Sequence, residues 1–289
     1  LGIMAAADLA EAVEIQNEVA YGLTAGLHAL DAAEIAVWLE RVQAGNVYVN
    51  RNMVGAVVGV QPFGGEGLSG TGPKAGGPLY LYRLLAERPE DVLRRVTSVP
   101  GAEMVHHASK AVQGLRRWAA SSASAGLVLA LDRLEQGGPR ADALVLPGPT
   151  GERNVYSLCG RSRVLCLAER DEDLLLQLAA VLVAGSRAVW PLSAQSLLNA
   201  LPAEVQACVA IAAEPLSPQV HFDAVLLHGT AERLGEIQRQ LAGREGPVIA
   251  VERMDAGDAQ VPLERLVVEL ALSVNTAAAG GNASLMTIG

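Results

Sequence analysis

Aromatic side chains are scarce in this sequence. They make up 3% of its 289 residues, and only two of them are phenylalanine. Hydrophobic residues as a whole reach 51% and charged residues only 18%, so aliphatic side chains and alanine must build the interior. This composition indicates a globular, soluble protein with enough length for about two domains.

Positive charge is also in short supply. Lysine and arginine number 22 against 31 aspartate and glutamate residues, which gives a formal net charge of −9. The longest basic groups are pairs such as Arg94-Arg95 and Arg116-Arg117. A nucleic-acid surface needs clustered basic residues to neutralise phosphates, so we expect this segment to bind no nucleic acid.

Cysteine is rare and carries no recognisable motif. Cys159, Cys166 and Cys208 show neither C-x-x-C nor the Cys/His spacing of metal ligands. We expect all three to be small buried side chains in a reducing compartment, which indicates a cytoplasmic location. The pair His106-His107 predicts no metal site either, because neighbours on a helix point about 100° apart.

Long hydrophobic runs are missing. The nearest approach, residues 174–185, is interrupted by Gln177 and is too short to span a bilayer, so a buried helix is expected there. The chain also begins at Leu1 without a methionine, a basic segment or a hydrophobic signal segment. We therefore expect it to be a fragment of a longer polypeptide.

Glycine, by contrast, is concentrated in PFGGEGLSGTGPKAGGP, residues 62–78, where residues 65–70 spell G-x-G-x-x-G. A dinucleotide-binding fingerprint must follow a strand and open a helix, and the prolines and glycines that follow cannot form one. A phosphate-binding P-loop is excluded too, because Pro73 precedes the lysine and Ala75 replaces the hydroxyl residue. A turn-rich structural loop is favoured, and a loop that lines a ligand remains the alternative.

The first residues predict two helices and a strand. Asp8 begins one helix with capping-box spacing, and Gly22 is placed to end it. Asp31 begins the second helix, which carries an apolar stripe. A strand, residues 46–50, follows and leads toward the glycine-rich loop.

The rest of the chain predicts an α/β fold. Residues 89–136 are helical and polar, and a Gly-Gly-Pro joint follows at 137–139. Residues 163–190 and 222–252 each read as strand, helix, strand, and two such units predict a doubly wound parallel sheet. The apolar terminal segment predicts a strand, a turn and a second strand.

Several stretches closely resemble a known family. YGLTAGLHALD, the stretch AGNVYVNRNMVGAVVGVQPFGGEGLSGTGPKAGGP and LYLYRLL are similar to the end of the catalytic domain of L-glutamate γ-semialdehyde (pyrroline-5-carboxylate) dehydrogenases, within the aldehyde dehydrogenase superfamily. LPGPTGERNVY, AAVLVAGSRAVW and SVNTAAAGGNASLMTIG resemble the C-terminal domain of long-form proline utilization A. That bacterial enzyme joins proline dehydrogenase to this aldehyde dehydrogenase, and the resemblance covers nearly the entire chain.

The resemblance implies a division into four parts and a reading of the second half. Residues 145–272 look like a degenerate Rossmann-like copy of an NAD-binding domain. The ribose-binding lysine is missing near Trp190, and Gly229-Thr230-Ala231 replaces the phosphate-side turn, so we expect a scaffold that binds no NAD. The parts are the end of the catalytic domain, a helical connector, the Rossmann-like domain and a β-flap docking tail: 1–86, 87–144, 145–272 and 273–289.

The resemblance also implies where the substrate binds. In the family a Gly-Ala pair anchors the α-carboxylate of the semialdehyde through backbone N–H groups, and this pair falls on Gly55 and Ala56. Small residues there leave the peptide N–H groups open to an anion. The family's aromatic wall along the aldehyde carbon chain corresponds to Phe63. Ser69 and Lys74 are read as structural loop residues.

The family reaction is NAD-dependent. A cysteine thiolate attacks the aldehyde, hydride passes to nicotinamide, and water activated by a glutamate releases the acid. None of this machinery is expected in this chain, so no catalytic residue is assigned and the fragment alone is predicted to be inactive. The resemblance implies upstream NAD and FAD domains and a homo-oligomeric parent that is cytoplasmic or peripheral at the inner membrane.

Two other functions stay open. The chain could act as a non-catalytic assembly or lid module through its tail. In the family that it resembles, the C-terminal domain covers the tunnel between the two active sites, and the terminal motif packs across the dehydrogenase domain. It could also belong to a single-function dehydrogenase that has the lid but no proline dehydrogenase. Residues 1–86 favour an enzyme, because an assembly module has little use for a carboxylate anchor.

Overall fold

The computed structural model describes residues 2–53, 59–97, 109–122, 124–139 and 143–276. The helices are α1 Leu9–Asn17, α2 Ala32–Arg41, α3 Leu79–Tyr82, α4 Val92–Thr97, α5 Lys110–Ser121, α6 Ala125–Gly137, α7 Asp171–Val183, α8 Gln195–Asn199, α9 Ala203–Gln206 and α10 Ala231–Ala242. The strands are β1 Tyr21–Gly22, β2 Thr24–Leu27, β3 Asn46–Val49, β4 Glu66–Gly67, β5 Leu144–Leu146, β6 Glu152–Gly160, β7 Arg163–Leu167, β8 Arg187–Pro191, β9 Val209–Ala212, β10 Ala224–His228, β11 Ala250–Met254 and β12 Val267–Asn275.

The chain divides into two compact units that do not follow one another in sequence. The first unit consists of Leu1–Leu84, Ala143–Ser157 and Glu269–Gly289, and the second of Leu85–Asp142 and Leu158–Val268. Strand β12 therefore begins before residue 273, where the sequence-based tail was drawn, and most of it lies in the first unit.

The first unit is built on a five-stranded sheet with the order β2-β3-β12-β6-β5. Strands β2, β3 and β12 run parallel, whereas β5 and β6 are antiparallel. In the register of β3 and β12, Ala271 lies opposite Asn46 and Ser273 lies opposite Tyr48. A segment near the end of the described chain is thus a central strand of this sheet.

One face of this sheet packs against α1 and α2. Val47 and Val49 of β3 form an apolar cluster with Val13 and Trp38 of the helices, and alternate residues of β12 pack against it. Because strand side chains alternate between faces, the other residues of β3 and β12 point to the opposite side. That opposite face carries the polar groups described below.

The predicted helix starts are confirmed, and one predicted end is wrong. The carboxylate of Asp8 accepts a hydrogen bond from Glu11 N at 2.9 Å, and that of Asp31 accepts one from Ala33 N at 2.7 Å. Helix α1 ends at Asn17, however, and Gly22 lies in β1, paired with Glu66. The close approach of neighbouring backbone at Gly22 explains a glycine there, since a Cβ would lie 2.7 Å from Gln43 O.

The second unit contains the predicted parallel sheet. Its order is β11-β10-β7-β8-β9, and all neighbouring strands are parallel. The chain adds β8 and β9 on one side of β7 and then returns to place β10 on the other side. Helix α7, which is buried along most of its length, packs against β7 and β8 as well as against α5 and α6. The mixed α/β class is confirmed.

Helix α7 contains most of the longest apolar run of the sequence, residues 174–185. It has 13 residues, against the roughly 20 that a membrane span needs. Within the described ranges, no helix is long and apolar enough to cross a bilayer.

Candidate functional site

The candidate site lies in the first unit, where the glycine-rich loop meets the polar face of the five-stranded sheet. We use the term polar face for the side chains that β3, β12 and β6 present opposite the apolar cluster. Asn46, Tyr48, Glu152, Tyr156, Glu269 and Ser273 make the contacts described below; Asn154 of β6 lies on the same face, but its side-chain amide makes no hydrogen bond. Asn46, Tyr48, Tyr156, Glu269 and Ser273 are buried, which is unusual for polar groups and means that each needs a partner.

The loop itself turns back on itself and opens no helix in the way that a dinucleotide site requires. Ser69 N donates to Glu66 O and Gly70 N donates to Gly67 O, both at 3.0 Å. Gly67 has φ +58°, and a Cβ there would lie 2.4 Å from Ala20 O, so only glycine fits. The rejection of a G-x-G-x-x-G nucleotide site is therefore consistent with the local geometry.

Asn46 holds the loop on both sides of Phe63. Its Nδ2 donates to Pro62 O at 3.0 Å, and its Oδ1 accepts from Gly64 N at 3.0 Å. Phe63 pairs with Ala75 through two backbone hydrogen bonds of 3.0 and 2.8 Å. The ring of Phe63 remains partly exposed.

Lys74 extends its ammonium group into the same place. Its Nζ donates to Gly45 O at 2.7 Å, to Asn46 Oδ1 at 3.2 Å and to Gly64 O. Burial lowers the pKa of Lys74 to about 8, although nearby carboxylates, chiefly Glu269, oppose that shift. The packing is close enough that a Cβ on Gly45 would lie 2.7 Å from Nζ and 2.1 Å from Gly64 O.

Glu269 joins the end of the loop to the sheet. Its Oε2 accepts from the backbone N of Lys74 at 2.7 Å, and its Oε1 accepts from the Tyr156 hydroxyl at 2.8 Å. Burial raises the pKa of the Glu269 carboxyl. The pKa of Tyr156 is also raised, first by burial and then by the adjacent carboxylate of Glu269.

A second polar group lies at the other end of β12. The guanidinium of Arg51 pairs with Glu152 and donates to Ser273 Oγ at 2.6 Å, and Ser273 Oγ donates to Glu152 Oε1 at 2.7 Å. The same guanidinium lies 5.2 Å from the ring centre of Tyr48. These side chains fix the residue just before the segment that contains the sequence-predicted carboxylate anchor.

The sequence-predicted substrate residues are only partly visible. Phe63 lies in the held part of the loop, whereas Gly55 and Ala56 lie outside the described residues, as do His106 and His107. Asn46, Glu269 and the group around Arg51 were not singled out from the sequence. The signals that point to them are the alternating patterns NVYVN and ELALSVN, in which polar and apolar residues take turns.

The prediction that all three cysteines are buried is wrong for two of them. Cys166 is buried, and burial raises the pKa of its thiol, but Cys208 is half-buried and Cys159 is exposed. Cys159 lies near the end of β6, where the alternation of side chains turns it outward. Within the described residues, no group of three or more His, Cys, Asp or Glu side chains could hold a metal ion.

The second unit does not fit a dinucleotide at the place where such sheets bind one. In doubly wound sheets the pyrophosphate lies against the N-terminus of the helix after the first strand. Here the first turn of α7 carries Asp171, Glu172 and Asp173, and the carboxylate of Asp173 accepts from Gly257 N at 3.1 and 3.2 Å. Three carboxylates repel a phosphate, and the loop around Gly257 already occupies one of them.

The neighbouring strand end is filled as well. His228, the last residue of β10, is buried, with Nδ1 2.8 Å from Gln177 Nε2 and Nε2 3.0 Å from Asp258 O. The crevice at the ends of β7 and β10, where the strand order reverses, is thus filled by contacts within the protein itself.

Comparison with known proteins places the chain. Residues 1–87 match the model of the aldehyde dehydrogenase family. The chain is 49% identical over 291 residues to the bifunctional protein PutA of Escherichia coli, which covers 97% of this chain and 22% of that protein. It is 47% identical over 76 residues to a 1-pyrroline-5-carboxylate dehydrogenase from a Geobacillus species, which covers 26% of this chain and 15% of that enzyme.

A solved structure of proline utilization A from Corynebacterium freiburgense has the same fold. Its TM-score is 0.63 at 23% identity, with 98% of this chain and 26% of that chain covered. The chain thus spans about a fifth of the length of the curated PutA relatives that it matches. The resemblance inferred from the sequence is confirmed: the chain corresponds to a C-terminal segment of the PutA proteins, and its residues 1–87 match the aldehyde dehydrogenase family.

Proposed function

We propose that the protein containing this chain oxidises L-glutamate γ-semialdehyde to glutamate in proline catabolism, with NAD as the hydride acceptor. The observation that carries the proposal is the match of residues 1–87 to the aldehyde dehydrogenase family, together with 47% identity over 76 residues of the chain to a 1-pyrroline-5-carboxylate dehydrogenase. The similarity to bifunctional PutA extends the proposal to an upstream proline dehydrogenase that uses FAD, and to a homo-oligomeric parent.

In this proposal residues 1–86 form one wall of the aldehyde pocket. Gly55 and Ala56 bind the α-carboxylate through backbone N–H groups, and Phe63 packs against the carbon chain. The hydrogen bonds around Phe63 support a role that needs a fixed ring, since a mobile loop could not orient a substrate. The nucleophile, the general base and the NAD-binding residues are proposed to lie in upstream domains.

We assign a supporting role to the second half of the chain. The part of residues 145–272 that lies in the second unit acts as a degenerate Rossmann-like scaffold, and residues 87–144 connect it to the catalytic part. The docking tail, residues 273–289, begins within β12, and the residues that follow the strand act as a lid that shields the reactive aldehyde from water. The acidic first turn of α7 favours a scaffold over a second NAD site. An assembly module that acts through its tail is the alternative.

The experiment follows NADH formation by the full-length protein that contains this chain, with glutamate semialdehyde and NAD as substrates. Phe63→Ala, Gly55→Val and Ala56→Asp should each raise KM for the semialdehyde about 10-fold or more, because each removes or blocks a contact made to the substrate. KM for NAD should stay within about twofold. Leu30→Ala, at a fully exposed side chain of the same unit, is the control.

Absence of NADH formation by the wild-type protein would overturn the proposed activity. Equal increases in KM for both substrates in the Phe63 and Gly55 variants would leave the activity in place and reject the assigned pocket wall.

A further inference from the structure

We infer that Asn46 and Lys74 are positioning residues for Phe63: together they fix the backbone of residues 62–64 and so set the aromatic ring against the carbon chain of the aldehyde. This inference rests on the function proposed above and deepens it. Neither side chain touches the substrate in this arrangement, so both act through Phe63.

Every backbone polar group around Phe63 has a hydrogen-bond partner. Pro62 O and Gly64 N bind the amide of Asn46, both polar groups of Phe63 bind Ala75, and Gly64 O accepts from Lys74 Nζ. Proline has no N–H, so the list for residues 62–64 is complete. A partly exposed loop residue with its whole backbone engaged is held in one conformation, which is a condition for shaping a pocket.

Asn46, which holds this part of the loop, is a polar residue whose burial costs free energy. Asn46 is the first residue of β3, an inner strand of the sheet, and is fully buried at a place where an apolar side chain would carry no desolvation penalty. All three of its side-chain hydrogen bonds go to the loop, to Pro62, Gly64 and Lys74. Its orientation is also unambiguous, because a flipped amide would turn its donor toward two other donors.

The N–H donors of the Lys74 ammonium are equal in number to the acceptors that surround it. A protonated lysine has three N–H donors, and three acceptors face it: Gly45 O, Asn46 Oδ1 and Gly64 O. The charged groups near Lys74 are Glu269, whose carboxylate binds the Lys74 backbone, and Glu66. Two of the three hydrogen bonds of the buried ammonium therefore go to the loop and to Asn46, which holds it, and the third goes to Gly45, the residue before β3.

The test is a double-mutant cycle in the full-length protein. Asn46→Ala should raise KM for the semialdehyde about 10-fold while kcat and KM for NAD change by less than about twofold. In a Phe63→Ala background the same Asn46→Ala substitution should have almost no further effect, because the ring that Asn46 positions is already gone. Lys74→Met should behave in the same way.

A matched control comes from the same sheet. Asn154 of β6 is also a fully buried asparagine, but its side-chain amide makes no hydrogen bond. Asn154→Ala should leave KM for the semialdehyde within about twofold, and its effect should be the same in the wild-type protein and in the Phe63→Ala background. This separates positioning from the general cost of truncating a buried amide.

Asn46→Asp guards against loss of folding, since it keeps the size and the acceptor, replaces the donor to Pro62 O with a carboxylate oxygen, and places its negative charge beside the Lys74 ammonium. A smaller KM increase in the same direction would support the inference. Additive effects of the Asn46 and Phe63 substitutions, or equal changes in both KM values, would overturn it. Insolubility of all Asn46 and Lys74 variants would also overturn it, by assigning these residues to fold stability. A wild-type protein without activity would reject the proposed function and this inference together.

Discussion

At the scale of single residues, the pKa of Lys74 predicts how KM for the semialdehyde depends on pH. Its pKa is lowered to about 8, first by burial, so the ammonium is present below that pH and lost above it. The neutral amine has only two N–H donors for the three acceptors, so the hold on Gly64 weakens above pH 8. KM for the semialdehyde should therefore rise in the full-length wild-type protein as the pH passes from 7 to about 9.

The matched measurement uses Lys74→Met, which has no proton to lose. The ratio of its KM to that of the wild type should fall across the same range, and the ratio removes any pH effect on the substrate itself. A ratio that stays constant from pH 7 to about 9 would mean that the protonation of Lys74 plays no part.

Residues also differ in how far their roles could be predicted from the sequence. The helix caps at Asp8 and Asp31 depend on neighbours two or three positions away, and both were predicted. Lys74 instead meets Gly45, 29 positions earlier, and Glu269, 195 positions later. No local pattern encodes such distances, which is why Lys74 was read as an ordinary loop residue and Asn46 was not singled out.

At the scale of elements, β12 likewise has one feature that the sequence predicts and one that it does not. The alternation in ELALSVN predicts a strand with one apolar and one polar face, and that is what forms. The pattern does not say which sheet the strand enters, because β3, its partner, lies more than 200 residues earlier. The parallel sheet of the second unit was predictable because each helix directly links neighbouring strands.

The pairing of β6 and β12 leads to a prediction about the strand end that precedes the proposed anchor. Glu152→Ala should free Arg51, whose guanidinium otherwise binds Glu152 and Ser273. Losing this partly buried pair costs on the order of 1–3 kcal/mol. Hydrogen exchange of residues 46–53 in the full-length protein should then become about tenfold faster or more.

Arg153→Ala is the control for that experiment. Arg153 is the next residue of β6, its side chain points to the face opposite Glu152, and it is exposed, so its loss should leave exchange in residues 46–53 unchanged. Unchanged exchange in Glu152→Ala as well would show that the Arg51 group does not hold this part of the chain.

At the scale of the whole molecule, the segment from Glu269 onward combines two roles that truncation can separate. Residues 269–275 complete the sheet of the first unit, and Ser273 belongs to the group around Arg51. The proposed lid uses the residues that follow. Deleting residues 277–289 from the full-length protein keeps β12 whole, whereas deleting residues 273–289 removes Ser273 and the last residues of the strand.

The two truncations should therefore fail differently. Without residues 277–289, the dehydrogenase should keep its KM for added semialdehyde, but an aldehyde trap should capture intermediate formed from proline, because the lid that shields it is gone. Without residues 273–289, KM for added semialdehyde should also rise about 10-fold, since this deletion removes Ser273, which binds Arg51 shortly before the proposed carboxylate anchor. Steady-state kinetics and trapping assays on both proteins measure this.

If the shorter deletion leaves the coupled rate and the trapped fraction unchanged, residues 277–289 are not a lid. If the two proteins behave alike, the end of β12 has no separate part in holding Arg51 and the segment with the proposed carboxylate anchor.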